Sequence, residues 1–512
     1  MKKINDKSKV YMIVGVVILI IAIVGSTYAY YRYVLTSTNV NTITRGLDYY
    51  INYAKGTDIT SGTLNPSTDY TGGNSVTITL NKKDNTYDIY GHIYLDITTI
   101  SSALSSSNAL KYVVLEGTTK ISEGTLGGVS ASKSYLLAVN IPLKTISTTY
   151  TVYLWFDETN SNALSAENTT IGAKVRCEAT MKKINDEPYT VSILSEKIIN
   201  LYNASTKNPV TNDSITYQYD TADSLMQDIG GNIRYYGASP NNYIYFNCSD
   251  YANQSSSTCE LWRIIGVFNG KVKLIRGSQI GTYSWDNKNP STGAESNLGK
   301  NDWTDARLMK LLNPGYESET TGGSLYYNSG SGNCYAGNNN ATKACDFTST
   351  GIKNDKTRGL ISEETYYLGG WNSSSVYPNQ IYEYERETTV YIGRPTEWTG
   401  KIALAYPSDY GYAVDLSKCN QTLYDYNNST CTSNNWMKTI IAPNLGWLLT
   451  PHSGYSYYAW FVLSSGSVRN YYYNYYYTYF AYGVAPVLSL SSRQDIVGGE
   501  GKENNPYQLL VS

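Results

Sequence analysis

Between positions 471 and 479 every residue is tyrosine except Asn474 and Thr478. Each phenol taken into a core must find a hydrogen-bond partner, so a core has no need of tyrosine at this density. A surface that binds does use it. Tyrosine offers a large, rigid, amphipathic contact that loses little conformational entropy. The flanks differ in kind. Trp447, Leu448 and Leu449 on one side, and Val484, Val487, Leu488 and Leu490 on the other, are apolar and β-prone. The pattern predicts buried strands that hold a tyrosine-covered strand-and-loop face between them. Tyr471, Tyr472, Tyr473, Tyr475, Tyr476, Tyr477 and Tyr479 would then carry ligand binding, helped by Tyr455, Tyr457 and Tyr458. The plainer alternative is a tyrosine-rich, two-faced sheet with no ligand.

Composition extends the point. The chain holds 53 tyrosines against 6 phenylalanines, and Asn, Ser, Thr and Gly fill most of its polar surface, as in an extracellular β-rich protein. At 512 residues it exceeds one ordinary domain, and about three units are expected. With 16% charged residues and a net charge of −2, it lacks the basic excess that a nucleic-acid partner requires. The cysteines fall into local pairs. Cys248 and Cys259 are eleven positions apart, Cys334 and Cys345 eleven, and Cys419 and Cys431 twelve. Each pair brackets a polar, turn-rich segment, which reads as a loop-closing disulfide. Zinc is the competing explanation, but there is no Cys-x-x-Cys and the only histidines are His92 and His452. Cys177 is left over as a buried free thiol.

The chain begins with Lys2, Lys3, Lys7 and Lys9, followed by an uncharged apolar run from Val10 to about Tyr31 and a lone Arg32. About 20 such residues cross a bilayer as a helix. The lysines place the N-terminus in the cytoplasm and the rest of the chain outside. Ser26-Thr-Tyr-Ala29 also resembles a small-residue cleavage site. The length of the run favours an anchor, with a cleaved leader as the alternative. Residues from about 33 to 75 are polar and read as a stalk-like entry or the first strand. From Ser75 to Thr180 the pattern is β. Val76 to Leu80 alternates, as does Tyr90 to Leu95. Tyr150, Val152, Leu154 and Phe156 share one face of a strand, and Thr151, Tyr153 and Trp155 the other. Short strands at this spacing predict an antiparallel sandwich.

The leader ending in Thr27-Tyr-Ala-Tyr-Tyr31, the strand Tyr150-Thr-Val-Tyr-Leu-Trp-Phe-Asp157 and the strand Ala173-Lys-Val-Arg-Cys-Glu-Ala-Thr-Met181 together resemble the camelysin/TasA type of Gram-positive surface protein. The resemblance covers about the first 180 residues. It implies an exported, matrix-associated β-sandwich, and it speaks to location and fold more than to activity.

Asn185-Asp-Glu-Pro-Tyr189 breaks the pattern. Leu194, Ile198 and Leu201 then sit at helical spacing, with Ser192 as candidate N-cap. Ile233 to Gly237 and Tyr243 to Asn247 read as strands. Leu261 to Phe268, Asn269-Gly270 and Lys271 to Arg276 read as a hairpin with an Asn-Gly turn. Asp305 to Leu312 reads as a helix stopped by Asn313-Pro-Gly315.

Several stretches here, in order, resemble a recurrent domain of surface proteins in gut Firmicutes. They are Ile233 to Cys248, Cys259-Glu-Leu-Trp-Arg-Ile-Ile-Gly266, Leu311-Leu-Asn-Pro-Gly315, Tyr406-Pro-Ser-Asp-Tyr-Gly411, Trp447-Leu-Leu-Thr-Pro451 and Gly483-Val-Ala-Pro-Val-Leu488. The resemblance implies a distant relative of the C-type lectin and formylglycine-generating-enzyme fold. One departure stands out: Ala485 occupies a position where such domains carry arginine.

Catalytic signals are missing. There is no Gly-x-Ser-x-Gly elbow, no phosphate loop and no His-Glu-x-x-His. His452 reads as a polar residue of the turn after Pro451, and His92 as a structural residue in a strand. Glu363, Glu364, Glu383 and Glu385 read as solvated strand surface. A calcium loop of EF-hand type is absent, and Tyr377-Pro378-Asn379 lacks the acid or amide that calcium-dependent lectins place before proline. No catalytic residue, metal ligand or cofactor is therefore expected.

The expected chain is mainly β, with an α+β C-terminal domain. It has a tip and transmembrane helix at 1–32, a β-sandwich stalk at 33–185 and a C-type-lectin-like binding domain at 190–512. The expected function is that of a membrane-anchored bacterial surface protein that binds an extracellular protein or glycan, and not nucleic acid. Two rivals remain: a matrix-fibre subunit, and a formylglycine-generating-like oxidase, whose chemistry would need redox-active cysteines. The tyrosine stretch also resembles the variable segment of proteins served by diversity-generating retroelements, which mutate template adenines. From an Asn codon that process reaches Tyr, Ser, Thr and others but never Trp, Met, Lys, Gln or Glu, and none of these five occurs from Phe461 to Tyr482. An ordinary receptor of fixed sequence is the alternative.

Overall fold

Alternation along Tyr150 to Phe156 determines how its sheet packs. Tyr150, Val152, Leu154 and Phe156 are buried, while Thr151 and Tyr153 are half-exposed. A one-residue slip would turn the apolar set to solvent, so the register is strongly specified. The computed structural model describes residues 33–35, 51–55, 59–64, 66–105, 109–158, 170–184, 186, 188–335, 339–471, 477–491 and 494–511. The expected anchor at 1–32 lies outside them. Among the described residues no helix is long and apolar enough to cross a membrane. The fold is mainly β, with several sheets, and divides after Val191 into two compact units.

Among the described residues the first unit has two sheets. One runs in the order Tyr33–Leu35, Thr170–Thr180, Tyr90–Ile100, Lys133–Pro142, with Ile59–Thr63 also paired to Thr170–Thr180. The other runs Ile51–Lys55, Asn74–Lys82, Thr148–Asp157, Leu110–Glu116, Thr119–Thr125, with Pro66–Ser67 parallel to Thr148–Asp157. Tyr150 faces Ile78, and Val152 faces Val76. These side chains share one apolar core with Ile93, Leu95 and Ile97 of the other sheet. The expected alternation from Tyr90 to Leu95 is not observed, because Gly91 to Leu95 are all buried. The Arg176 guanidinium covers the Tyr94 ring at 4.2 Å. His92 is enclosed by Thr180 Oγ1 at 2.8 Å and by the Asn140 N–H, which donates to its Nδ1 at 3.2 Å. Cys177 is free and buried, and burial pushes its thiol up to about 12. It is therefore a small core hydrophobe rather than a nucleophile.

The second unit opens on the helix Leu194–Ala204, which buries Leu194, Ile198 and Tyr202. Its N-cap is Ile193 rather than Ser192: both residues pair as a short strand with Asp495–Gly498, so the helix begins only at Leu194. The main sheet runs Asn208–Asn212, Ile215–Asp220, Leu225–Gln227, Ile233–Tyr235, Glu260–Phe268, Lys271–Arg276, Val487–Ser489, Ile402–Ala403. Its hairpin turns at Asn269 and Gly270, with φ 49° and 77°. Both lie in the left-handed region that a type I′ turn requires. The helix expected from Asp305 is two pieces. A 3₁₀ turn at Trp303–Asp305 is capped by Asp302, and Arg307–Leu312 follows an extended Ala306.

A second sheet runs Thr282–Ser284, Ala481–Gly483, Gly446–Pro451, Ala459–Val462, Val468–Arg469. Gly446–Pro451 is buried at every residue. Two indoles tie it down: Trp447 Nε1 donates to Tyr283 O at 3.0 Å, and Trp285 Nε1 to Leu448 O at 3.1 Å. The six cysteines of this unit pair as Cys248–Cys259, Cys334–Cys345 and Cys419–Cys431. Loops of this size gain about 3 kcal/mol from closure in the chain-entropy model.

Tyrosine also fills the interior, contrary to the expectation that a core would not use it. Tyr217, Tyr219, Tyr236, Tyr410, Tyr412 and Tyr426 are buried in one cluster. Backbone atoms supply polar partners for three of them. Tyr410 donates to Gly466 O at 3.0 Å and Tyr426 to Gly411 O at 3.1 Å, while the Tyr219 oxygen accepts from Leu416 N at 3.2 Å.

Candidate binding face

Tyr455, Tyr457 and Tyr458 lie on the turn joining Gly446–Pro451 to Ala459–Val462. Tyr471, Tyr477 and Tyr479 lie on the connection from Val468–Arg469 to Ala481–Gly483. Tyr472, Tyr473, Tyr475 and Tyr476 fall outside the described residues. The two loops bring their rings together. Tyr455 and Tyr471 are nearly parallel, at 6.0 Å and 13°. Tyr457 meets Tyr477 edge-on at 5.5 Å, and Tyr458 stacks on Tyr477 at 5.2 Å. Tyr477 continues to Tyr479 at 5.9 Å, and Tyr479 to Phe480 at 4.3 Å. Tyr455 is 44% exposed and Tyr471 38%; Tyr457, Tyr477 and Tyr479 are half-buried. Tyr458, expected among the ligand-contacting rings, is only 3% exposed. It packs beneath Tyr455, Tyr471 and Tyr477 and forms their floor.

The loops are held through their main chain. Buried Asn301 donates from Nδ2 to the carbonyls of His452 (3.0 Å), Tyr455 (2.7 Å) and Tyr458 (3.0 Å). Its own N–H donates to Ser456 O at 2.8 Å. Arg394 Nε donates to Asn301 Oδ1 at 3.0 Å, and its Nη2 reaches Glu295 at 2.9 Å and Ser456 O at 3.3 Å. The second loop is tied to the first where Thr478 N donates to Tyr457 O at 3.0 Å. From below, Asp286 N donates to Thr478 O at 3.1 Å, Thr478 Oγ1 donates to Leu298 O at 3.2 Å, and Ser284 Oγ donates to Tyr479 O. Gly299 fits only as glycine: φ is 93°, and a Cβ would lie 2.2 Å from Asp286 O and from Thr478 Oγ1.

His452 follows Pro451 at the start of the turn and is enclosed there rather than displayed. It is buried under Tyr455 and Tyr458, and its Nδ1 accepts from Gly454 N at 2.8 Å. Burial lowers its pKa to about 4, so the ring is neutral at pH 7. The acidic groups below the face are paired with ammonium ions. Lys288 lies 2.9 Å from Asp305 Oδ2 and 3.6 Å from Asp286 Oδ1, and Lys300 lies 3.1 Å from Asp302. Among the described residues, no group of three or more His, Cys, Asp or Glu is placed to hold a metal ion.

Of the four glutamates expected on solvated strand surface, Glu363 and Glu383 are exposed, and Glu364 pairs with Lys271 at 2.6 Å. Glu385 is buried, and it sits on a helix, Pro378–Arg386. Pro378 at the first helical position and Gln380 Oε1, which accepts from Tyr377 N at 2.9 Å, start that helix. Glu385 accepts from Ser408 N at 2.9 Å and from Ser408 Oγ, and burial raises its pKa to about 7. Ala485 lies buried in the same cluster as Trp460 and Leu448.

Sequence reasoning missed Asn301, Arg394, Thr478 and Phe480. Phe480 adjoins the tyrosine run and could have been read with it. The others act on carbonyls far away in the chain and leave no local signal. Together these residues present a neutral aromatic surface on two loops that buried side chains hold in place. No protein-family model matches the chain, and no curated protein matches it either.

Proposed function

We propose that the chain is a membrane-anchored bacterial cell-surface binding protein. A β-sandwich stalk carries a C-type-lectin-like head, and the bulk of the chain is extracellular. The ligand is an extracellular protein or glycan, bound at the tyrosine face with no metal or cofactor. One observation carries the reading. Asn301, Thr478, Asp286, Ser284 and Arg394 hold the two loops by backbone carbonyls, so Tyr455, Tyr457, Tyr471, Tyr477 and Tyr479 are left for display. Rings displayed in this way offer stacking faces and phenols at the rim, the contacts that binding surfaces favour. The test is a glycan and surface-protein array probed with the full chain in detergent micelles. Binding should occur and should be lost in Tyr455→Ser with Tyr477→Ser. An array signal that the double variant retains would refute the assignment of the face.

The clamp also favours diversification. Most of its bonds end on main-chain atoms, so exchanging the displayed side chains would leave them intact. The test is genomic: a reverse transcriptase and a near-copy of this stretch, with adenines at the tyrosine codons, should lie nearby. Their absence would leave a receptor of fixed sequence. The oxidase alternative predicts two reactive thiols in the second unit. Thiol titration of the denatured, unreduced chain should instead find Cys177 alone.

A further inference from the structure

We propose that Tyr455 and Tyr471 form an oxidative cross-linking site, where a peroxide-driven one-electron oxidant joins their rings as dityrosine and ties the two loops covalently. The inference is independent of any ligand. Among the described residues of the second unit, four tyrosines are markedly exposed: Tyr367 at 39%, Tyr424 at 43%, Tyr455 at 44% and Tyr471 at 38%. Of these four, Tyr455 and Tyr471 face one another, nearly parallel at 6.0 Å. A modest swing of two surface side chains brings their ortho carbons together. Tyr424 lies against the Arg469 guanidinium at 3.4 Å, and Arg386 lies 5.5 Å from Tyr367. A cation over a ring stabilises its electrons and opposes their removal.

Two further features favour the pair. Tyr458 lies 5.5 Å from Tyr455 and 5.2 Å from Tyr471, and it joins Tyr457 and Tyr477 in one chain of rings. An electron vacancy formed on any of them can pass along that chain. It comes to rest where a phenol can release its proton to water, which the exposed rings can do and buried Tyr458 cannot. All six cysteines of this unit are in disulfides, so it contains no thiol to repair a tyrosyl radical.

The chemistry balances. A haem peroxidase charged with hydrogen peroxide removes one electron and one proton from each phenol. The two phenoxyl radicals form a carbon–carbon bond between ortho positions. The hydrogen on each of those carbons then moves, as a proton, to that ring's own oxygen, which restores the phenol and the aromatic ring. Two hydrogens leave the protein in all, and the peroxide is reduced to two waters.

The experiment treats the full chain in detergent micelles with a haem peroxidase and hydrogen peroxide, isolates the monomer, and reads dityrosine fluorescence and the cross-linked peptide by mass. The expected product is an intramolecular Tyr455–Tyr471 bridge, two hydrogens lighter than the unlinked pair. The bridge should vanish in Tyr455→Phe and in Tyr471→Phe and persist in Tyr424→Phe and Tyr367→Phe. The wild-type map alone decides if a variant fails to fold. Absence of dityrosine from the monomer, bridges confined to positions 472–476, or a Tyr455–Tyr471 bridge found only between chains would each overturn the proposal.

Discussion

The second unit holds two dense sets of tyrosines that do opposite work. The inner set, around Tyr410, Tyr412 and Tyr426, is part of the structure itself. Its rings are buried, and the phenols of Tyr410 and Tyr426 donate to the backbone carbonyls of Gly466 and Gly411. The outer set, around Tyr455, Tyr471 and Tyr477, rests on loops whose carbonyls are held by Asn301, Arg394 and Ser284. Burial raises the pKa of inner Tyr217 to about 12 and takes Tyr410 well above the ordinary phenol range. The same residue type is thus structural where its own hydroxyl satisfies the backbone, and available for contact where other residues do so.

The sharpest way to break this comparison is at the base of the inner set. Asp409, on the helix that carries Tyr410 and Tyr412, bonds Arg234 Nη1 at 2.8 Å and Lys273 Nζ at 2.5 Å, and all three are buried. Asp409→Ala leaves two buried cations short of a partner, at a cost of about 3–5 kcal/mol. Urea unfolding should show that loss. A loss below about 1 kcal/mol would mean that the inner set does not depend on its ionic base.

Each set also has a buried titrating neighbour, and the two act in opposite directions with pH. His452, under the outer set, has its pKa lowered from 6.5 to about 4. The unfolded chain therefore takes up that proton first, and stability is lost as pH falls from about 6.5 to about 4. Glu385, beside the inner helix, has its pKa raised from 4.5 to about 7. Its contribution is fully present below about 4.5 and is lost as pH rises toward about 7. Each shift amounts to about 3 kcal/mol across its window. The two contributions should therefore nearly cancel from about pH 4.5 to 6.5. His452→Gln should make stability rise as pH falls through that window, and Glu385→Gln should make it fall. Parallel slopes in the two variants would contradict the assignment.

The outer set is tested at Asn301. Asn301→Ala removes the donor to three carbonyls. At about 1–3 kcal/mol for each buried group left unsatisfied, with water replacing some of the lost bonds, a net loss of about 2–3 kcal/mol is expected. Thermal or urea unfolding measures it. The loop 452–458 should also become open to proteolysis under native conditions, and unchanged protection would show that the clamp is not what orders it.

Local signals were legible in the sequence, and distant ones were not. Alternation from Tyr150 to Phe156, the Asn269-Gly270 turn and the apolar flanks around Trp447 and Val487 each depend on neighbouring residues, and they appear where the pattern puts them. Ser192 failed as a cap because Asp495–Gly498, three hundred positions on, recruits both it and Ile193 into a strand. Glu385 resembled surface until Ser408, 23 positions away, enclosed it. Asn301 reaches carbonyls more than 150 positions distant. The error about tyrosine had the same cause. A buried phenol needs a carbonyl, and which loop carbonyl will be near it is a property of the fold, not of the run that contains it.

The smallest expected effect bears most directly on the comparison. Tyr455→Ser and Tyr471→Ser remove rings that are more than one-third exposed and whose loops are held by other residues. Tyr455 gives up ring contacts with His452, Tyr457, Tyr458 and Tyr471, and Tyr471 gives up contacts that include Tyr455 and Tyr458, but all are made by a partly exposed ring, so unfolding free energy should change by only about 0.5 kcal/mol. Tyr410→Phe deletes only an oxygen, yet it strands Gly466 O in the interior. About 1 kcal/mol is expected there, the net worth of one hydrogen bond plus part of the desolvation of its acceptor. The deletion of a whole outer ring should therefore cost less than the deletion of one inner atom. Urea unfolding of the three variants under one set of conditions decides the matter. If Tyr455→Ser or Tyr471→Ser costs as much as Tyr410→Phe, the outer rings help to build the loops that carry them, and the division between structural and displayed tyrosine does not hold.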